Sequence, residues 1–335
     1  MKNVIKIAAV YIGLVIGAGF ASGREVLEYF NFPSAGRFFG IPLSAALFMT
    51  VAYIILAKSS EEGIKTFDEY IESVGGRCAG FIKYVMLFYM FCGFFVMLAG
   101  SGALTDKISP LPSFWGSMLM ALICFFVLSF DLKGIVTLNV ILVPFMIFGI
   151  MFVAIYSVLF NDTQVFLLNG SSMFLSAICY GAYNTVTAGA VLVPLSQGEN
   201  IRNIRRASVL GGFIIGLLIL VVWWVQQVYL DVIWDSPLPM LEIAALCGKV
   251  SKRIYTLVLF MAICTTAVSQ GFGIMSHFSK YTKTLKDRMM FSAVLCLLGL
   301  PCSLWGFSVL VENLYSFLGY VGIIWIIWII IDKFK

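Results

Sequence analysis

Two short stretches hold the residues best able to do chemistry. In residues 261–273, MAICTTAVSQGFG, Thr265, Thr266 and Ser269 share one helical neighbourhood, with Ala262 one turn earlier. Hydroxyls and helix carbonyls are hard oxygen ligands, which suit an unhydrated Na⁺ and serve softer metals poorly. The plainer fate of any single membrane Ser or Thr is to bond back to its own helix. In residues 15–30, VIGAGFASGREVLEYF, Gly17, Gly19 and Gly23 run directly into Arg24, Glu25 and Glu28. Glycines at that density predict an interrupted helix. The N–H end of a half-helix suits an anion and its carbonyl end a cation. Glu25, nearest the break, is placed to bind a cationic amine or carry a proton, because charges at membrane depth are costly and usually functional. The competing account puts Arg24 and Glu25 in a wet outer vestibule. His277 is the only histidine, which excludes a multi-histidine metal centre. No Ser/His or paired-acid arrangement at depth suggests an enzyme.

The elements that must position these residues follow from composition. Of 335 residues, 61% are hydrophobic and 12% charged, about half the charged fraction usual in a soluble domain. Ten apolar runs are long enough to cross a bilayer: 4–30, 38–57, 81–104, 114–130, 135–160, 171–195, 207–230, 254–278, 289–304 and 309–331. Residues 237–247, PLPMLEIAALC, are too short to span and predict a surface helix packed on one face. With the N-terminus in the cytoplasm, 16 of the 22 Lys and Arg face inward. The positive-inside rule therefore places both termini in the cytoplasm of a multi-pass plasma-membrane protein. Trp115, Trp234 and Trp305 then fall at the outer boundary as anchors. Aromatic and apolar residues continue past Ala21, which favours a membrane helix over a cleaved signal peptide. The eight cysteines form no CxxC and suit packing. The net charge of +5 tracks topology, and nothing points to nucleic acid or to a particular oligomeric state.

Ten spans with both ends on one side predict a five-plus-five arrangement, residues 1–160 and 171–335, whose halves enter the membrane from opposite sides. Gly17-Ala18 in span one recurs as Gly181-Ala182 in span six. Both spans carry midway interruptions by small or polar residues, GAGFASG and YGAYNTVTAG. The expectation is an all-α membrane protein with helices 1 and 6 broken at the midplane. Backbone unwound there survives only where it lines an enclosed cavity. The competing account is close helix packing through small residues.

GLVIGAG (Gly13 to Gly19) in a broken first span, with AICTT (Ala262 to Thr266) in span eight, resembles the LeuT-type sodium symporters of the amino acid–polyamine–cation superfamily. VIGAGFASGREVLEYF is similar to the YkvI-like bacterial membrane proteins. The resemblance covers the whole ten-span layout and is most specific in span one. It implies a Na⁺ site made by the carbonyls of Gly13, Ile16 and Ala262 with the hydroxyls of Thr265 and Thr266. The family's ligating Asn of a further sodium site falls on Phe20, which has no ligand, so one Na⁺ is expected; proton coupling stays open. It implies a solute between the breaks, with backbone N–H groups from Ala18, Gly19, Phe20, Ala21 and Ser22 facing a carboxylate, and Tyr183 and Asn184 from span six. Tyr89 stands at the family's carboxylate-contacting Tyr, and Phe20 and Phe94 would cap the pocket. Relatives gate this half-helix with an Arg paired to an acid from span ten, for which Arg24 and Glu312 are the available residues.

These features predict a secondary transporter that carries a small organic solute, an amino acid or amine by default, across the bilayer with Na⁺ and no other cofactor. The alternative is a receptor that binds a small ligand in the same pocket without moving it.

Overall fold

The computed structural model describes residues 2–30, 37–159, 173–236, 238–305, 321–329 and 331. All the regular structure in them is helical. The first apolar run forms three pieces, α1 (Lys2–Val15), α2 (Ala18–Ser22) and α3 (Arg24–Phe30). Then come α4 (Arg37–Glu61), α5 (Phe67–Gly75), α6 (Ala79–Ile108), α7 (Ser113–Ser129) and α8 (Asp131–Leu159). The second half begins with α9 (Met173–Leu195), α10 (Ile201–Val228), α11 (Leu230–Ile233) and α12 (Pro239–Leu246), and continues with α13 (Lys249–His277) and α14 (Leu285–Ser303). Residues 321–329 are helical and belong to the expected tenth span.

Six described helices are by themselves long and apolar enough to cross a membrane, so this is a multi-pass membrane fold. The other expected spans fall short for separate reasons. The first is divided, α7 has 17 residues, and α14 starts with Lys286, Asp287 and Arg288. The tenth lies mostly outside the described residues, and so does Glu312.

Burial is arranged as a bilayer demands. Phe145 and Phe148 on α8, Leu217 and Trp224 on α10 and Leu297 on α14 point outward and are at least 43% exposed. Small and polar residues face inward, since lipid supplies no hydrophobic drive between helices and interfaces rely on close packing and hydrogen bonds. The Ser117 hydroxyl donates to Leu98 O at 2.8 Å, Ser101 to Gly116 O at 2.9 Å and Tyr11 to Phe48 O at 2.8 Å, each linking two helices. Among the described residues all eight cysteines are unbridged.

The helices pack in two groups. Contacts of α4 with α9 and α10, and of α1 with both, define the first; α6, α7, α13 and α14 form the second. Helix α8 touches both, against α1, α10 and α13. Two short helices cover the ends. α12, the surface helix expected at 237–247, buries Met240, Leu241 and Ile243 against α13 and touches α2. α5 was not apparent from the sequence. Thr66 and Glu69 form a capping box at its start, and Phe67, Tyr70 and Ile71 are buried.

The expected break in span six is corrected. Helix α9 runs without interruption from Met173 to Leu195. Its polar side chains feed their own helix instead of unwinding it: Asn184 Nδ2 donates to Tyr180 O at 3.0 Å and Thr185 Oγ1 to Ala182 O at 2.8 Å. Gly181 and Gly189 lie against Leu47 and Phe67, which is close packing.

Candidate functional site

Span one leaves the helix where its glycines begin. Gly17 is extended (φ −85°, ψ −172°), and its N–H donates to Val15 O at 2.8 Å instead of continuing the ladder to Gly13 O. One turn later Gly23 adopts φ 84° and redirects the chain into α3. Gln226 on α10 secures that second bend by donating to Gly23 O at 2.6 Å, and Tyr255 on α13 secures α2 by donating to Ala21 O at 2.7 Å. The opening N–H groups of α2 have no side-chain cap.

The gap at Gly17 faces a small cavity of about 30 Å³ among spans one, three, six and eight. That volume holds a water or two, or a bare cation. Of the expected solute residues, Ala18, Gly19, Tyr89, Tyr183 and Asn184 line it. Phe20, Ala21 and Ser22 do not. The Phe20 ring is fully buried, the Ala21 carbonyl is taken by Tyr255, and Ser22 Oγ bonds Gly19 O at 2.8 Å and accepts from the Arg24 N–H. Phe94 packs against Phe95 and lies away from the cavity wall.

Glu25 is 5% exposed, yet it reaches the cavity. Its side chain folds back along α2 to Gly19, and the Tyr183 hydroxyl donates to its Oε1. Its Oε2 is buried without a hydrogen-bond partner. Arg24 points the other way, is exposed, and donates from Nη1 to Trp234 O at 2.9 Å. It is therefore a contact of the turn that follows α11; Glu312, its expected partner, lies outside the described residues.

The expected cation ligands Gly13, Ile16, Ala262, Thr265 and Thr266 are all buried, although Gly13 faces Asn139 and Val143 of α8. Thr265 Oγ1 donates to Ala262 O at 3.0 Å, which brings two of the proposed oxygens together. Thr266 Oγ1 is buried with no partner and lines the cavity opposite Gly17. Ser269 bonds Thr265 O in its own helix at 2.7 Å.

Several residues here escaped the sequence reading. Asn139, in span five, holds Ile135 O with its amide at 2.9 Å and presses a partnerless Oδ1 against Gly13. Gln270 donates to Thr187 Oγ1 at 3.0 Å and leaves its own Oε1 unpartnered at the cavity. An amide in an apolar run was a usable signal for both. Gly93 and Met97, which also line the cavity, carried none.

No protein-family model matches the chain. It is 28% identical over 323 residues to the uncharacterized membrane protein YkvI of Bacillus subtilis (strain 168), covering 94% of this chain and 92% of that one. It is 26% identical over 333 residues to the uncharacterized protein YyaD of the same organism, covering 97% and 96%. Among solved structures it is similar to a Na⁺-coupled sialic acid symporter in a substrate-bound outward-open state, with a TM-score of 0.71 and 11% identity over 94% of this chain and 76% of that one. MhsT in complex with L-phenylalanine gives a TM-score of 0.65 at 14% identity, covering 95% and 85%. Mhp1, a nucleobase-cation-symport-1 family transporter, gives 0.63 at 13%, covering 94% and 77%. At such identities the likeness is one of fold. The chain is thus similar along nearly its whole length to the uncharacterized membrane protein YkvI, and its fold is similar to that of the LeuT-fold transporters.

Proposed function

We propose that this protein is a secondary active transporter, coupled to Na⁺, that moves a small organic solute by alternating access. The observation carrying this reading is the meeting of a helix break with unpartnered buried oxygens. The chain leaves its helix at Gly17, and Thr266 Oγ1 and Glu25 Oε2 converge on the small cavity beside it. Buried polar atoms without partners are costly, and a bound ion or solute is what relieves them.

In this reading Na⁺ is held by the carbonyls of Gly13, Ile16 and Ala262 with the hydroxyls of Thr265 and Thr266. Release of Gly13 O from the helix ladder and the partnerless, buried Thr266 Oγ1 support it. The solute, an amino acid or amine, binds beside Ala18, Gly19, Tyr89, Tyr183 and Asn184, and the cavity enlarges when the two helix groups separate. The Na⁺-coupled sialic acid symporter that this chain resembles in fold agrees with such coupling.

The two groups also support an inverted repeat of residues 1–160 and 171–335. Moving forward by five spans exchanges α1 with α9 and α4 with α10 inside one group, and α6 with α13 and α7 with α14 inside the other. Both termini lie in the cytoplasm, with the protein in the plasma membrane.

The test is flux. Purified protein in proteoliposomes with an inward Na⁺ gradient accumulates a labelled amino acid or amine, and collapsing the gradient abolishes accumulation. Saturable binding without accumulation would make the protein a receptor.

A further inference from the structure

We propose that Glu25 supplies the carboxyl group that pairs with the solute's cation, and that the site takes a cationic amine which lacks a free carboxylate. This inference rests on the carrier reading only in using the same cavity as the solute site.

The position is unusual for a carboxylate. Glu25 belongs to α3, yet its side chain turns back so closely on Gly19 that a Cβ added there would overlap the carboxyl group. The protein thus puts its own carboxylate beside α2, where a carboxylate of the solute was expected. A second one would meet like-charge repulsion in a buried space.

The hydrogen bonds around the cavity point the same way. The Tyr183 hydroxyl donates to Glu25 Oε1, the Tyr89 hydroxyl donates to Tyr183 O at 2.9 Å, and the Gln270 amide donates to Thr187 Oγ1 at 3.0 Å. With those donors committed to the protein, the side-chain atoms left unpartnered on the wall are all oxygens, Glu25 Oε2, Thr266 Oγ1 and Gln270 Oε1, and the Glu25 carboxyl itself lies against the uncapped start of α2 at Gly19. An ammonium offers three donors and no acceptor, which complements such a wall; a carboxylate offers only acceptors.

Among the described residues no cation of the protein competes: no Lys, Arg or His there forms an ion pair with Glu25, and its neighbour Arg24 is turned to Trp234 O. A buried carboxylate without a counter-charge is costly, so a bound ammonium recovers both Coulomb energy and hydrogen bonds.

The test uses matched pairs that differ by one carboxylate: methylammonium and glycine, ethanolamine and serine, putrescine and ornithine, phenethylammonium and phenylalanine. Binding of each to purified full-length protein is followed by thermal shift and calorimetry, with Na⁺ present. At least one amine is expected to bind, and to bind more tightly than its amino acid. Glu25→Gln, which keeps the shape, is expected to weaken that amine by about tenfold or more, the loss of a charge-assisted contact. The selectivity of the unmutated protein stands as evidence even if the variant folds poorly. An amino acid binding as well as its amine, an amine indifferent to Glu25→Gln in folded protein, or no response to any of the four amines overturns the proposal. Amine binding without Na⁺-driven uptake would count against the carrier reading and leave the charge assignment standing.

Discussion

The Thr266 hydroxyl occupies the space that a side chain on Gly17 would need: a Cβ built at Gly17 falls 2.7 Å from Thr266 Oγ1. This contact joins the break in span one to the hydroxyl pair of span eight. Gly17→Ala is expected to push the two helices apart at the proposed cation site. Overpacking of this kind costs about 1–3 kcal/mol. Thermal melts with and without NaCl should show a lower midpoint and a lost response to Na⁺; an unaltered Na⁺ response would separate this contact from ion binding.

The two threonines should behave differently without sodium and alike with it. Thr265 Oγ1 already bonds Ala262 O, whereas Thr266 Oγ1 is buried with no partner. Replacing an unsatisfied buried hydroxyl by a methyl relieves a penalty of about 1 kcal/mol or more. Thr266→Val should therefore raise or preserve the melting temperature in Na⁺-free buffer, and Thr265→Val should lower it slightly. Both should abolish stabilisation by Na⁺. Full Na⁺ responses in both variants would discard the site.

Gly23 combines a left-handed backbone with crowding. It sits at φ 84°, and a Cβ there would meet the Gln226 amide and Met240 Cγ at 2.6 Å. Strain at a positive φ costs about 1–2 kcal/mol, and the displaced Gln226 would also lose its bond to Gly23 O. Gly23→Ala should lower thermal stability by several degrees and loosen α2 and α3, read as faster amide exchange across residues 18–30. Exchange like that of the unmutated protein would show that this bend is not under strain.

At the opposite end of α13, His277 Nδ1 lies 2.8 Å from Asp68 Oδ2 on α5, and Lys83 Nζ lies 3.8 Å from the same oxygen. Asp68 thus ties the short capped helix to spans three and eight. Its side chain is 23% exposed, so the pair is worth at most about 1 kcal/mol. Asp68→Asn should leave global melting nearly unchanged while speeding amide exchange in residues 67–75. A large fall in melting temperature would contradict a local fastening role.

The multi-pass helical layout was legible in the chain because bilayer thickness imposes one length on every span. The break at Gly17 was legible for a related reason: glycines beside charged residues are a poor continuation of a membrane helix. The same argument failed in span six. The composition of YGAYNTVTAG does not say whether Asn184 and Thr185 serve a ligand or their own helix, and the hydrogen bonds to Tyr180 O and Ala182 O decided for the helix. Helix α5 was missed because its nine residues are amphipathic and capped, without an apolar run.

For the site, local pattern announced Glu25, Tyr183 and Thr266 as polar groups at depth. It did not announce that the Glu25 side chain turns back onto Gly19, that Asn139 stands against Gly13, or that Gln270 turns its oxygen to the cavity. Residue types and their spacing along one segment settle which parts of the chain enter lipid and where a helix is weak, because those are properties of one segment and its solvent. Which oxygens remain unpartnered, and what charge the cavity therefore accepts, depends on contacts between separate spans, such as Glu25 with Tyr183 and Gln270 with Thr187, and only packing sets those.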